Sequence, residues 1–424
     1  MNRVLNIFRI KELRNKVLLV AFILLCSRVL AAIPIPGIDT QALKNLLGSN
    51  QLLGFLNIFS GGALSNLSIA MLGLGPYITA TIIMQLLTMI FPSLKAMYYE
   101  EGAAGRAKFN RFSRYLTIPL AVLQSYSFLR LLVSQGVLTH LTWQQSLLGI
   151  VIATAGSMIL MWFGEIITEQ KIGNGVSILI FAGIVSRLPI ELRNALITYS
   201  PGMLLSYIIF AVLAVVVIAA VVIMNEGVRR IPVSYAKRIR GNRVYGGVST
   251  YLPLKVNQAG VIPIIFAISV LMVPQFAAQM LLTFSPHIGK IISDFTTKLL
   301  NNQLFYGGFY FVLVFVFTYF YTAITFDPKE VSKNLQRSGG FVPGLRPGES
   351  TSVYLRKVIS RITLFGAAFL GIIAILPLIV QAFITNSSAM TIGGTALLIV
   401  VAVALDIAQQ VDSQLTVREY DGVE

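Results

Sequence analysis

Charge is scarce in this chain. Asp, Glu, Lys and Arg make up only 12% of its 424 residues, whereas 56% are hydrophobic, and mean hydropathy is +0.78. Soluble domains carry about 25% charged residues, so a water-soluble globular enzyme is excluded. Cysteine is limited to Cys26, which rules out an internal disulfide. The two histidines, His140 and His287, both sit in polar connections. No Cys/His cluster with metal-ligand spacing can be drawn, so metal chemistry, Cys/His nucleophilic catalysis and a buried imidazole relay all lack their residues. Acids are few as well, 17 against 33 Lys and Arg, for a net charge of +16.

What the chain has in abundance is long apolar runs. A bilayer core of about 30 Å needs about 20 mostly apolar residues per helix. On that basis crossings are predicted at roughly 17–33, 75–91, 115–136, 146–164, 174–188, 203–224, 258–283, 305–326, 358–383 and 390–408. A further apolar stretch from Leu52 to Gly73 is interrupted by Ser60, Gly61 and Gly62 and is too broken to be an eleventh. The predicted fold is an all-α polytopic membrane protein. Ten spans divide as five plus five, with halves at 1–188 and 189–424, and an odd number of helices per half forces the second to run inverted relative to the first.

Positive charge tests this topology independently of hydropathy. Of the 33 Lys and Arg, 26 fall in the N-terminal segment, the alternate connections and the tail on one side; 5 fall opposite, with Arg28 and Arg130 near outer span ends. The positive-inside rule therefore places both termini in the cytoplasm. Arg3, Arg9, Lys11, Arg14 and Lys16 make the first span look like a signal peptide. Arg28 interrupts its apolar region and no small-x-small site follows, so a retained span is expected.

Ion-coupled carriers need carboxylates or histidines near the membrane midplane. Here Glu165 and Asp406 lie at span ends and the other acids in loops or tails. Gly73-Leu74-Gly75 and Gly173-Asn174-Gly175 lack the rest of a nucleotide fingerprint. More informative is Ser60 to Ala70, a short, half-polar helix candidate rich in small residues and flanked by glycines. Irregular backbone at membrane depth survives only when buried in protein or lining a cavity; it is either part of a path or an interfacial re-entrant loop. Two connections, about 225–257 and 327–357, are too long for turns. In the first, Ile231, Val233 and Tyr235 alternate with polar neighbours and Arg240-Gly241-Asn242 favours a turn, predicting a protruding β-hairpin with Lys237, Arg238, Arg240 and Arg243 at its tip. Such charge suits a polyanion such as ribosomal RNA or an acidic protein surface, or reflects positive-inside bias with attraction to anionic lipid.

These features converge on one family. Ile33-Pro34-Ile35-Pro36-Gly37-Ile38-Asp39, Phe59 to Ser65, Gly75-Pro76-Tyr77-Ile78-Thr79-Ala80, Gly164-Glu165-Ile166-Ile167-Thr168, Gly173 to Ile184, Leu252 to Pro263, Pro343-Gly344-Leu345-Arg346-Pro347-Gly348 and Gly393-Gly394-Thr395 occur in order among the spans. Over essentially its whole length the chain resembles the SecY family of bacterial protein-conducting channels. The resemblance implies an hourglass pore between the halves, with a constriction lined by Leu74, Ile78, Ile180, Ile184, Ile265 and Ile399. The family typically has isoleucine where Leu74 stands. Gly61, Gly62, Ala63, Leu64, Ser65, Asn66, Leu67, Ser68, Ile69 and Ala70 correspond to the plug, a short helix closing the external funnel. With few large side chains to anchor it, displacement is expected to be inexpensive.

By the same resemblance a lateral gate lies between the second and third spans on one side and the seventh and eighth on the other, where Thr79, Gln124 and Ser269 face one another across the seam. The implied activity is passage of unfolded, signal-sequence-bearing polypeptide across the cytoplasmic membrane, with sideways release of apolar segments into lipid. It implies no cofactor, no metal and no enzymatic step. Implied partners are the SecA motor ATPase or a translating ribosome on the cytoplasmic loops, with Arg346 coupling to the motor, and small SecE and SecG subunits. The acidic tail, with Glu419, Asp421 and Glu424 against Arg418, departs from the family's basic tails. A secondary transporter of a small solute is the alternative, and an intramembrane protease or lipid transferase the third reading; both lack the polar residues their chemistry requires.

Overall fold

The computed structural model describes residues 10–35, 57, 60–134, 136–138, 142–197, 204–235, 238–240, 243–245, 249–383 and 394–421. Lys237, His140, Phe59, Gly393, the turn residues Gly241 and Asn242, and Pro36 to Asp39 lie outside these. A helix coincides with each of the ten apolar runs: α1 (Lys11–Ala32), α2 (Gly75–Ile90), α4 (Gly102–Ser134), α5 (Trp143–Glu169), α6 (Gly175–Ile197), α7 (Leu204–Glu226), α8 (Ile262–Phe284), α10 (Gln303–Thr325), α12 (Glu349–Phe383) and α13 (Gly394–Asp421). Three more lie outside these runs: α3 (Pro92–Tyr99), α9 (Pro286–Asn301) and α11 (Pro328–Arg337). Among the described residues eight helices are long and apolar enough to cross a bilayer, and α2 with α3 makes a ninth if counted as one broken span. The apolar part of α6, Gly175–Ile190, is shorter.

Local chemistry explains the breaks. α2 and α3 meet at 111°, because Pro92 pushes Phe91 out of helical geometry to φ −104°, ψ 110°. Thr142 caps α5 reciprocally with Gln145. Pro119, Pro189, Pro274 and Pro377 stand inside helices, which neighbouring helices tolerate in a bundle. α4 and α12 run well beyond their predicted spans, to 33 and 35 residues, since the basic turns preceding each apolar run are also good helix formers.

The hairpin predicted from alternation exists: β1 (Val228–Tyr235) pairs antiparallel with β4 (Ser249–Lys255), Ile231 opposite Leu252, and β2 (Arg238–Arg240) with β3 (Arg243–Tyr245). Alternation did not reveal its third strand. β5 (Gly340–Phe341), from the second long connection, adds to β1 through Ser234 and Tyr235, giving the order β4-β1-β5. Ile231, Leu254 and Val342 then bury against Leu355 and Ile359 of α12. Two loops that look separate in sequence are thus one folded unit standing on a span. Leu355→Ala is expected to cost this small core about 2–5 kcal/mol. It should show as faster tryptic cleavage between 225 and 257 with helix content by circular dichroism unchanged.

Candidate functional site

Helices α2, α4, α6 and α8 converge on a cavity of about 720 Å³, counting space open to solvent. Leu74 precedes α2 as its N-cap and Ile78 follows one turn later; with Ile180 of α6 and Ile265 of α8 they line this cavity. Ile184 and Ile399 do not line it, but pack in the same apolar cluster, where Leu74, Ile180, Ile184, Ile265 and Ile399 are buried and Ile78 is partly so. Four of the six side chains thus share the cavity, while Ile184 and Ile399 share with them only the broad apolar cluster of the bundle. None can hydrogen-bond water or an ion, so a narrow passage among them would be dry.

Thr79, Gln124 and Ser269 line the same cavity, but their bonds differ from the expected cross-seam facing. Gln124 Nε2 donates to Thr79 Oγ1 at 3.3 Å, joining α4 to α2, while Thr79 Oγ1 donates to Gly75 O within α2. Ser269 Oγ donates to Ile265 O in its own helix at 2.9 Å. A helical Thr or Ser reaches the carbonyl four residues back more readily than a distant partner. A hydrogen bond that does join α3 to α10 comes from a residue the sequence did not single out: Tyr99 Oη donates to Ile324 O at 2.8 Å.

Residues 60–74 are a succession of turns, not the helix expected over Gly61 to Ala70. Gly61, Gly62 and Gly73 have positive φ, and Leu67 is held at φ 41°, a conformation costly for a branched residue. Serine and asparagine side chains bond the local backbone in place of a helix. Asn57 Oδ1 accepts from the Ser65 amide at 2.9 Å, and Ser60 Oγ from the Leu64 amide at 3.2 Å. The run is tied to the end of α1 by an antiparallel bridge at Pro34 and Ser68, with Ile35 N donating to Leu67 O and Ile69 N to Ile33 O.

The run is also firmly seated. A Cβ on Gly156 of α5 would fall 2.1 Å from Ile69 O, and one on Gly61 would fall 2.6 Å from Gly183 Cα of α6. Only glycine permits such approaches. Arg28 of α1 donates to Gly61 O at 3.3 Å and to Ser186 Oγ at 3.2 Å, and Ser157 Oγ to Gly73 O at 3.0 Å. Leu64, Leu67 and Met71 bury in a cluster with Phe128, Leu131 and Leu132. This corrects the expectation of inexpensive displacement. Uncovering two fully buried leucines costs about 3–6 kcal/mol unless they find new apolar partners. Gly156, Ser157 and Ser186 carry no sequence signal apart from being small, and Gly183 only its place in the run Gly173 to Ile184, so their role emerges only where the chain folds back.

Away from the cavity, Arg346 is exposed on the turn after β5. Its backbone is fixed where Thr351 Oγ1 donates to Arg346 O at 2.9 Å, and Ser332 Oγ bonds Gly348 O. Arg238, Arg240 and Arg243 lie on β2 and β3, with Arg240 opposite Arg243. Glu165 accepts from Arg114 of α4 at 2.6 Å, pairing two span ends. Among the described residues no group of three or more His, Cys, Asp or Glu is placed to hold a metal ion.

Comparison with known proteins places this architecture. The SecY family model matches residues 68–408. The protein translocase subunit SecY of Mycobacterium tuberculosis is 42% identical, covering 98% of this chain and 97% of that protein. Among solved structures, a SecY whose plug domain stabilises the closed state of its translocation channel and maintains a membrane seal aligns at TM-score 0.64 and 22% identity, over 93% of this chain and 90% of that one. Sec61 in the canine ribosome–channel complex from the endoplasmic reticulum aligns at TM-score 0.60 and 20% identity, with the same coverage. The length matched by the family model and the identity to the mycobacterial protein together establish that the chain belongs to the SecY family.

Proposed function

We propose that this chain is the protein-conducting subunit of a translocase in the cytoplasmic membrane. It would pass unfolded, signal-sequence-bearing polypeptides across and release apolar segments sideways into lipid. The observation that carries this is the single cavity in which Leu74, Ile78, Ile180 and Ile265 meet Thr79, Gln124 and Ser269, bordered by Ser60 and Leu64 of the turn-rich run. The family and the name of the mycobacterial relative support the same reading.

In this reading 1–188 and 189–424 form two inverted halves of five crossings each, with both termini cytoplasmic. Leu74, Ile78, Ile180, Ile184, Ile265 and Ile399 form a ring that dewets at rest and parts around a threading chain. Gly61 to Ala70 act as the plug. Thr79, Gln124 and Ser269 mark the gate between α2 with α4 and α8 with α10, and Tyr99 bonds across it toward the basic loops. Polar contacts between helices in membranes are worth about 0.6 kcal/mol each on average, so the gate is latched without being locked. A signal sequence with about ten central apolar residues gains roughly 3–6 kcal/mol on transfer toward lipid. About 5.5 kcal/mol takes a two-state equilibrium from 1:99 to 99:1, which makes the substrate itself a sufficient key.

The conduit is passive and non-enzymatic, so partners supply the energy. The exposed Arg346 and the hairpin bearing Lys237, Arg238, Arg240 and Arg243 form the docking face for the SecA motor or a translating ribosome; the fold shared with Sec61 of the ribosome–channel complex supports the second. SecE and SecG would clasp the bundle.

Three outcomes are expected. A photo-crosslinker placed at Thr79 or Ser269 should capture the signal sequence of a stalled preprotein, which a solute carrier or lipid enzyme has no reason to hold; absence of an adduct at both positions would sink the proposal. Deleting 61–70 should raise resting ion conductance in planar bilayers, whereas unchanged conductance reassigns the run to packing. Arg346→Glu should leave membrane insertion of this chain normal and block motor-driven preprotein export into reconstituted vesicles. Undiminished export counts against its coupling role.

A further inference from the structure

Helix α9 has no part in the ring, the plug or the gate, yet its surface is sharply ordered. α8 begins beside β4 and rises for 23 residues, about 34 Å at 1.5 Å per residue. α9 therefore sits at the end of the bundle opposite the β-sheet. At 100° per residue its side chains fall into three sectors. One faces the body: Gly289 and Thr296 are buried, and a Cβ on Gly289 would lie 2.4 Å from Leu282 N, so α9 folds tightly back on the last turns of α8. The second is apolar and uncovered: Ile288, Ile291 and Phe295, at spacings of three and four, are 50%, 57% and 65% exposed. The third is a charged row at i, i+4 and i+8, Lys290, Asp294 and Lys298, all exposed.

We propose that α9 is a membrane-surface anchor, lying in the lipid headgroup layer with Ile288, Ile291 and Phe295 in the acyl chains and the charged row in water. A helix of modest hydrophobicity whose apolar and charged sides are this well separated lies in the interface plane, its apolar face about 5–10 Å into the headgroup boundary. A helix buried in protein has no use for the charged row, and one in water has no use for the apolar one. Continuity with the lipid-facing surface selects a bilayer as occupant. α10 follows α9 directly, opens with Leu304 and Phe305 at 89% and 65% exposure, and continues with exposed Phe309, Val312 and Val316 along its length. Lys290 and Lys298, on the water side of the helix, add attraction to the anionic phosphates of the headgroup layer. Seated this way, α9 holds the outer ends of α8 and α10 at fixed depth as they move.

Single-cysteine variants of the full chain in a Cys26→Ser background test this in vesicles of phosphatidylcholine and phosphatidylglycerol. An environment-sensitive fluorophore is attached at Ile291→Cys, Phe295→Cys or Asp294→Cys, all at exposed positions. Labels at 291 and 295 should be quenched several-fold more by nitroxide-bearing lipid than by aqueous iodide, and the label at 294 the reverse. Quenching of 291 and 295 by iodide as strongly as 294 would overturn the proposal. So would shielding of both from either quencher, since another protein surface would then cover the face.

Discussion

A peptide group buried inside a membrane protein away from any aqueous cavity has no water to bond, and leaving it unpaired costs several kcal/mol. Helices meet this demand within themselves. The run of turns from 60 to 74 cannot, and much of the surrounding structure serves to meet it: Asn57, Ser60 and Ser157 bond its amides and carbonyls, Arg28 reaches Gly61 O, and the end of α1 lends a short bridge at Ser68. Glycines at 156 and 183 let two helices come close enough to enclose it. A non-helical segment held this way can border a cavity without collapsing into it.

The polar and apolar parts of the cavity divide the labour. Its aliphatic residues share one cluster with much of the bundle core, so widening the space there means rearranging packing between α2, α6 and α8 rather than breaking strong bonds. The hydroxyls of Thr79 and Ser269 donate to carbonyls of their own helices, so neither donates across the cavity to another helix. The bond from Tyr99 to Ile324 lies outside the cavity lining, where it ties α3 to α10 without crossing the space itself.

At the opposite pole from α9, the two basic connections act as one body. β5 draws residues 340–341 onto the hairpin edge, and a five-residue apolar core fastens the sheet to α12. Arg346 thus stands on a unit fastened to a helix that continues into the bundle. The sequence marked both connections as long and basic, and alternation at Ile231 and Val233 exposed the hairpin. A two-residue strand such as β5 has too short a period to detect, and its pairing depends on contacts about a hundred residues apart. The amphipathic α9 is invisible to hydropathy for a related reason. Its apolar residues are spaced for a face rather than run together, so a search for spanning runs does not register them.

The chain's composition alone determined that it lives in lipid, because so apolar a sequence with so little charge has no soluble solution. Its apolar runs determined where the helices lie, since each run must bury its own backbone, and glycines with Pro92 marked where helix had to stop. Only the tertiary structure decided that 60–74 is turns rather than helix, that Thr79 bonds Gln124, that Ser269 bonds its own helix, and that Gly156 and Gly183 cradle the irregular run. These choices depend on which partner arrives within reach once the helices pack, and spacing along a chain carries no record of distances across it.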